Sequence, residues 1–498
     1  MTVIRSSGAQ KNDGKLMKTT LLHTPASRLR FGAARADITP PVGINHRFWG
    51  AAVHDESTGV HRPLLADVHV FDPVCGGAEH RLVRVQCDSL GYPRDLFNSL
   101  QSAVADAAGV SPGNVSITHS HTHSAGAVDT GRRTQPGGHL IELYLQTLQS
   151  KLTAACREAV QAVEPVTIEY RATRCDMGND RDCRDDEHDF YVCGFNPDVM
   201  DSIPLLVARV SNHRGQTLRI FVQYSCHPTT LAWENTEISP DYPGALRETV
   251  EHHAGVPCTF LLGPCGELGP RVGYVGDQQI ADRNGRQVAF AALAAFEGMG
   301  PPGHDLKYAG PVVSGANLGT WKYAPCTADR MARLENYAFE AASTALPVRE
   351  RPDADALRRE AEDWEQRITR AKAEADDDQV RIGRAMQERA NRWIARLSDF
   401  PSGDTYPLEY TVLIAGDAVW VTVEGEPYFP IQKELQQRFP DQFVIVSPVD
   451  RSYQVAYLLP RDKYGIGLYQ EEPSLLGPGC LEMLIDAVGG RIAAMLNS

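Results

Sequence analysis

Three imidazoles occupy alternate positions, His119, His121 and His123, inside "NVSITHSHTHSAGAVD" (Asn114 to Asp129). The run before them is β-branched and the run after them is small and flexible. Alternate side chains of an extended segment project to one side, so the three rings can form a row where a strand ends. Three histidines this close would repel one another if protonated. As neutral imidazoles they are metal ligands or proton carriers. Two further strand-end groups join them. His227 in "QYSCHPTTL" closes an apolar run and precedes a proline, which turns the chain out of a sheet. Glu424 and Glu426 follow "VWVTV" on either side of a glycine. Histidines plus a carboxylate from separate strands match catalytic zinc chemistry, which takes N and O ligands and leaves a position for water. Taken singly, a histidine before proline is commonly a hydrogen-bonded cap, and a strand-end glutamate is commonly solvated.

The elements that would carry these groups alternate along the chain. "RLVRVQCDSLG" reads as a buried strand, "RDLFNSLQSAVADAAGV" as a helix through Leu96, Leu100, Val104 and Ala107, and "NVSITHSH" as the next strand. "LIELYLQTLQSKLTAACREAVQAV" is a long amphipathic helix, and further strands follow at "IPLLVARVSN", "LRIFVQYSCHP", "PCTFLLG", "YTVLIAGDAVWVTVEG" and "QFVIVSPV". This order predicts an α/β fold with a mostly parallel or mixed sheet flanked by helices, its ligand groups on loops beyond strand ends. Residues 352–398 stand apart. Leu357, Ala361, Trp364, Ile368 and Ala371, then Ile382, Met386, Ala390, Trp393 and Leu397, repeat at helical spacing around "ADDDQ" and predict a helical hairpin with one apolar face.

Bulk properties narrow the function. The chain has 498 residues, 42% hydrophobic and 22% charged, with a formal net charge of −14, which makes nucleic acid and anionic membrane surfaces poor partners. Its 11 cysteines are scattered, many in apolar strands, as reduced thiols of a cytoplasmic protein are. Cys175, Cys183 and Cys193 near His188 match no zinc-knuckle spacing. No run is long and apolar enough to span a bilayer, and residues 1–30 read as a polar, disordered leader without a signal-peptide core. A phosphate loop, a dinucleotide fingerprint, a nucleophile elbow and a His-Glu-x-x-His helix are all missing. The expectation is a small-molecule enzyme without stable membrane association; self-association is left open.

Eight motifs in order, "FGAARADITPPVG", "TGVHRPLLADVHVF", "VQCDSLG", "VSITHSHTHSAG", "VQYSCHPTTL", "ISPDYPGALRETVE", "VEGEP" and "YLLPRDKYGIGLYQEEPSLLGPGCLEML", resemble the neutral/alkaline (non-lysosomal) ceramidase superfamily. The resemblance runs from about residue 31 to the end, with the hairpin as an insertion. It implies one zinc ion per chain, held by His121, His227, Glu426 and Tyr457. Glu424 stands where the family has proline and competes with Glu426. His123 would face substrate, His119 is extra to the pattern, and Tyr464 and Tyr469 would line the pocket and donate to an oxyanion. Asp241 and Glu267 are candidates for proton transfer or turn structure, and Arg181 for binding a substrate carboxylate or hydroxyl.

Two departures accompany this resemblance. The family's Gly-Asp-Val-Ser-Pro loop reads Gly266-Glu267-Leu268-Gly269-Pro270, with glycine where the family has its serine. The additional C-terminal β domain of ceramidases has no counterpart after "DAVGGRIAAMLNS". The resemblance therefore implies a zinc-dependent amidase for a smaller, more polar N-acyl substrate than ceramide. An ester, lactone or carbamate hydrolase, or a catalytically silent metal-binding interaction protein, would use the same residues.

Overall fold

A computed structural model describes residues 20–398 and 400–497. Its centre is an eight-stranded mixed sheet. In chain order the strands are β1 (Ala26–Asp37), β2 (Leu65–Asp72), β3 (Leu82–Cys87), β4 (Val115–His119), β5 (Glu164–Cys175), β6 (Ile203–Asn212), β7 (Thr217–Tyr224) and β8 (Cys258–Leu262). Their order across the sheet is β8-β7-β6-β5-β1-β2-β3-β4. Only β7–β8 and β3–β4 pair in parallel; the five central ladders are antiparallel. The sheet is thus mixed rather than mostly parallel, because several strands follow one another directly without an intervening helix.

The sheet curls. Thr259 of β8 donates to Asp67 of β2 at 2.8 Å and pairs with His69 at 3.1 Å, although four strands lie between β8 and β2. Arg35 and Arg219 neutralise the buried Asp67 at 2.7 and 3.1 Å, which ties the two ends together.

A second sheet, β9 (Tyr337–Pro347), β10 (Thr405–Ala415), β11 (Ala418–Glu424) and β12 (Phe443–Asp450), packs on one face of the first. The two-residue alternation of β11 explains its place. Ala418 and Trp420 meet Phe71, Tyr170 and Phe221 of the large sheet, while Val419, Val421 and Val423 face a separate core. Helices α1 (Arg94–Ala108), α2 (Ile141–Gln161), α3 (Tyr242–Ala254) and α4 (Gln278–Glu297) cover the outer face of the large sheet.

The hairpin is present as α5 (Ala354–Ala373) and α6 (Asp377–Ser398), close to the expected span. Helices α7 (Pro430–Arg438) and α8 (Cys480–Leu496) close the outer face of the second sheet with it. The predicted leader needs correction. Leu21–Leu22 pair with Lys307 and Leu306, and β1 begins at Ala26 with Leu29 and Phe31 in the core. Burial of those apolar residues outweighs the polar character of their neighbours. Residues 1–19 lie outside the described part.

Candidate metal centre

Three segments, each just beyond a strand, bring His121, His227 and Glu426 to one place, and a fourth sets Tyr457 beside Glu426. His121 lies two residues past β4, with its backbone in the left-handed region at φ +64°. Its N–H donates to Ser89 O at 2.9 Å, and its Nδ1 donates to Leu90 O at 2.6 Å. A non-glycine residue at positive φ carries strain, and here that turn aims the ring at the other ligands. His227 follows β7. Its N–H donates to Leu268 O at 3.0 Å, and its Nδ1 reaches Cys265 O at 2.7 Å and Leu268 O at 3.1 Å. Glu426 leaves β11 through Gly425 (φ +78°), and its N–H donates to Ala456 O at 2.8 Å. Tyr457 is the parallel-strand partner of Glu426, which places it beside the carboxylate.

The ligand atoms of His121, His227 and Glu426 all lie within 4.8 Å of one another. Glu426 Oε2 is 3.3 Å from His121 Nε2 and 3.1 Å from His227 Nε2. Each Nδ1 faces a carbonyl, which only accepts, so each Nδ1 carries a proton and each Nε2 is left turned toward Glu426. Burial and Arg181 push His227 down to about 4, which keeps its ring neutral. Two imidazole Nε2 atoms crowd one carboxylate oxygen, an arrangement that a cation held among them, a proton or a metal ion, makes favourable. The donor set, buried and with both Nδ1 atoms fixed on backbone carbonyls, fits a divalent ion such as zinc.

Arg181 is buried against this cluster. It donates to Gly266 O at 2.8 Å, Tyr457 Oη at 3.2 Å and His227 Nε2 at 3.3 Å. Its guanidinium carbon lies 5.7 Å from the centre of the Tyr457 ring, and that ring is 6.1 Å from His227. Gly269 stacks beside it: a Cβ there would sit 3.2 Å from Arg181 Cδ. His123 stands edge-on to His121 at 5.0 Å, its Nε2 buried without a hydrogen-bond partner. Tyr469 meets the Tyr457 ring at 6.0 Å and is half exposed, which sets it at the rim.

The remaining candidates sit elsewhere. Tyr464 donates to Leu476 O at 3.0 Å against the second-sheet core, so its hydroxyl is committed to structure. Asp241 caps α3 through Tyr242 N at 2.6 Å and accepts from Leu231 N at 2.8 Å; burial raises it to about 6. Glu267 accepts from Phe429 N at 3.0 and 2.9 Å, and burial raises it to about 8. Glu424 is held by Arg94 at 3.2 Å and Tyr406 at 2.5 Å, away from the imidazoles. His119 pairs with Ser89 Oγ at 2.6 Å under the Tyr92 ring, and burial lowers it to about 3.

Sequence reasoning missed an aromatic wall. Trp49 lies 5.1 Å from His123, 6.1 Å from Trp233 and 5.7 Å from Tyr274. It also missed Asp182, buried under Gln470 (2.9 Å) and Lys463 (3.4 Å). The aromatic density of "HRFWG" was the one available signal for Trp49.

No family model matches the sequence, and no curated protein matches it. Solved structures share the fold, two ceramidases among them. Neutral ceramidase from Pseudomonas aeruginosa aligns with a TM-score of 0.61 at 14% identity, over 94% of this chain and 75% of that one. A structure described as ceramidase complexed with C2 aligns with a TM-score of 0.61 at 13% identity, over 93% of this chain and 74% of that one. Among the described residues, no helix is long and apolar enough to cross a membrane.

Proposed function

We propose that the chain is a zinc-dependent hydrolase that cleaves the amide bond of a small, polar N-acyl substrate. The observation that carries this reading is the convergence of His121, His227 and Glu426, with each imidazole fixed through Nδ1. The ceramidase fold supports amide chemistry over other hydrolytic classes. Tyr457, paired to Glu426, completes the proposed ligand set of His121, His227, Glu426 and Tyr457.

A zinc ion there would polarise a carbonyl and lower the pKa of water from about 15.7 to near 7. The chain's own residues do the rest. The Leu90, Cys265 and Leu268 carbonyls hold the two imidazoles in the ligating tautomer. The buried Nε2 of His123, without a partner in the protein, is available to a reacting carbonyl or leaving amine. The aromatic wall of Trp49, Trp233 and Tyr274 excludes water beside it. With glycine at 269, the aliphatic stem of Arg181 fills the space that a side chain there would need.

The reading is tested by metal analysis together with a hydrolysis screen. One zinc per chain with turnover on short N-acyl substrates supports it. One zinc per chain with no turnover on any acyl substrate overturns it in favour of a silent metal-binding protein.

A further inference from the structure

Helix α6 does more than cover the second sheet. On one side Arg392 donates to Phe48 O and Arg384 pairs with Asp55 at 2.6 Å. Gly50 is pressed so closely that a Cβ there would lie 3.1 Å from Ala385 Cα. That loop carries Trp49, whose ring lies against His123. On the other side Trp393 Nε1 and Arg389 both donate to Glu472 at 2.8 Å. That turn carries Tyr469, whose ring meets Tyr457. One helix therefore joins the two loops that flank the proposed ligands.

The same helix brings in cations. Arg396 follows Arg392 by four residues, so both lie on one face. Its guanidinium carbon stands 5.4 Å from the Trp393 ring centre, and its Nε is buried without a hydrogen-bond partner. No carboxylate among the described residues forms an ion pair with it. Arg389 and Arg392, seven and four residues before it, reach the Glu472 turn and the Phe48 carbonyl, so the face of α6 that carries Arg396 is turned toward both loops. Arg181, stacked on Tyr457, donates to a carbonyl, an imidazole and a phenol, and no carboxylate among the described residues forms an ion pair with it. A guanidinium withdrawn from water without a carboxylate is costly; Arg181 is buried and Arg396 partly so, and together they leave this side of the proposed centre short of negative charge.

We propose that α6 is the specificity wall of this pocket and that Arg396 receives an acidic group of the substrate, so that the amide cleaved is one bearing a carboxylate, as in a small N-acyl amino acid. This rests on the hydrolase reading and names its substrate class. A guanidinium binds a carboxylate through two parallel N–H···O bonds. The chain already supplies an aromatic wall for the acyl side.

Calorimetric binding to the full-length protein, zinc-loaded and chelator-treated, tests the proposal. The probes are N-acetyl-L-leucine and N-octanoylglycine against their neutral carboxamides. The carboxylates are expected to bind about tenfold tighter or better. Arg396→Gln should abolish that preference with zinc content and circular dichroism unchanged, and Arg396→Lys should retain part of it. Arg358→Gln, on an exposed face of α5, should leave the preference intact. Equal affinity for acid and amide, no binding of either, or the same loss in both glutamine variants overturns the proposal. Neutral amides hydrolysed as fast as the acids would sink the substrate class and leave the hydrolase standing. Carboxylate preference without turnover on any amide would do the reverse.

Discussion

Glu424 and Glu426, separated by one glycine, serve opposite sides of the same turn. Glu426 offers Oε2 to His121 and His227, whereas Glu424 is fully buried on Arg94 and Tyr406. The structure thereby resolves which of the two carboxylates belongs to the candidate centre. Glu426→Gln should lose bound zinc, by more than the ~10–100-fold typical of an outer-shell partner. Glu424→Gln should purify with zinc content unchanged. Elemental analysis of both variants checks this, and the opposite pattern would reverse the assignment.

Gly425 permits that division. At φ +78° its added Cβ would meet Ala456 O at 2.9 Å, the same carbonyl that accepts from Glu426 N. Gly425→Ala should displace Glu426 and weaken zinc binding by about 10–100-fold. Competition with a chelating dye measures it, and an unchanged affinity would show that the turn has slack.

Glu267 sets a pH dependence. Burial raises it from an ordinary 4.5 to about 8, so the folded state holds a proton that the unfolded state releases. Its contribution to stability therefore falls as pH rises from about 4.5 to 8. Glu267→Gln should be more stable than the parent at pH 8, on the order of 1–3 kcal/mol, with the difference vanishing below pH 5. Urea unfolding across that range is the measurement. A constant difference would mean the carboxyl ionises normally.

Asp241 caps a helix and ties down a loop. Asp241→Ala should cost about 2 kcal/mol or more of stability by stranding Leu231 N and Tyr242 N. Zinc content and the pH profile of any turnover should not move. A shifted pH profile would return Asp241 to the chemistry.

The sequence made the strand ends legible because apolar β-branched runs stop abruptly before His119 and His227 and at Glu424. Alternation alone could not separate Glu424 from Glu426, since both stand two apart on one segment; the glycine's positive φ separates them. Nor could it place Tyr464, which shares its spacing with pocket tyrosines but turns to Leu476 O. The helical hairpin followed from its 3–4 repeat, yet Ile382, counted on the apolar face, is 42% exposed while Gly383 beside it is buried against Ile368. A tight helix crossing wanted the smaller residue. The antiparallel centre of the sheet was not legible, because strand direction depends on which strands follow one another without a helix. Arg396 was invisible for a similar reason: a polar residue on a mostly solvated helix carries no mark of the loops that bury it.

Residues 227 and 426, whose side chains meet at 3.1 Å, are 199 positions apart, and they follow strands of different sheets. An ion gripped by both would act as a staple across the layers, released only when the tertiary structure gives way. Saturating zinc at 100 times its dissociation constant would then add about 2.7 kcal/mol to the whole molecule's resistance to unfolding. Severed halves of the polypeptide would gain nothing from it.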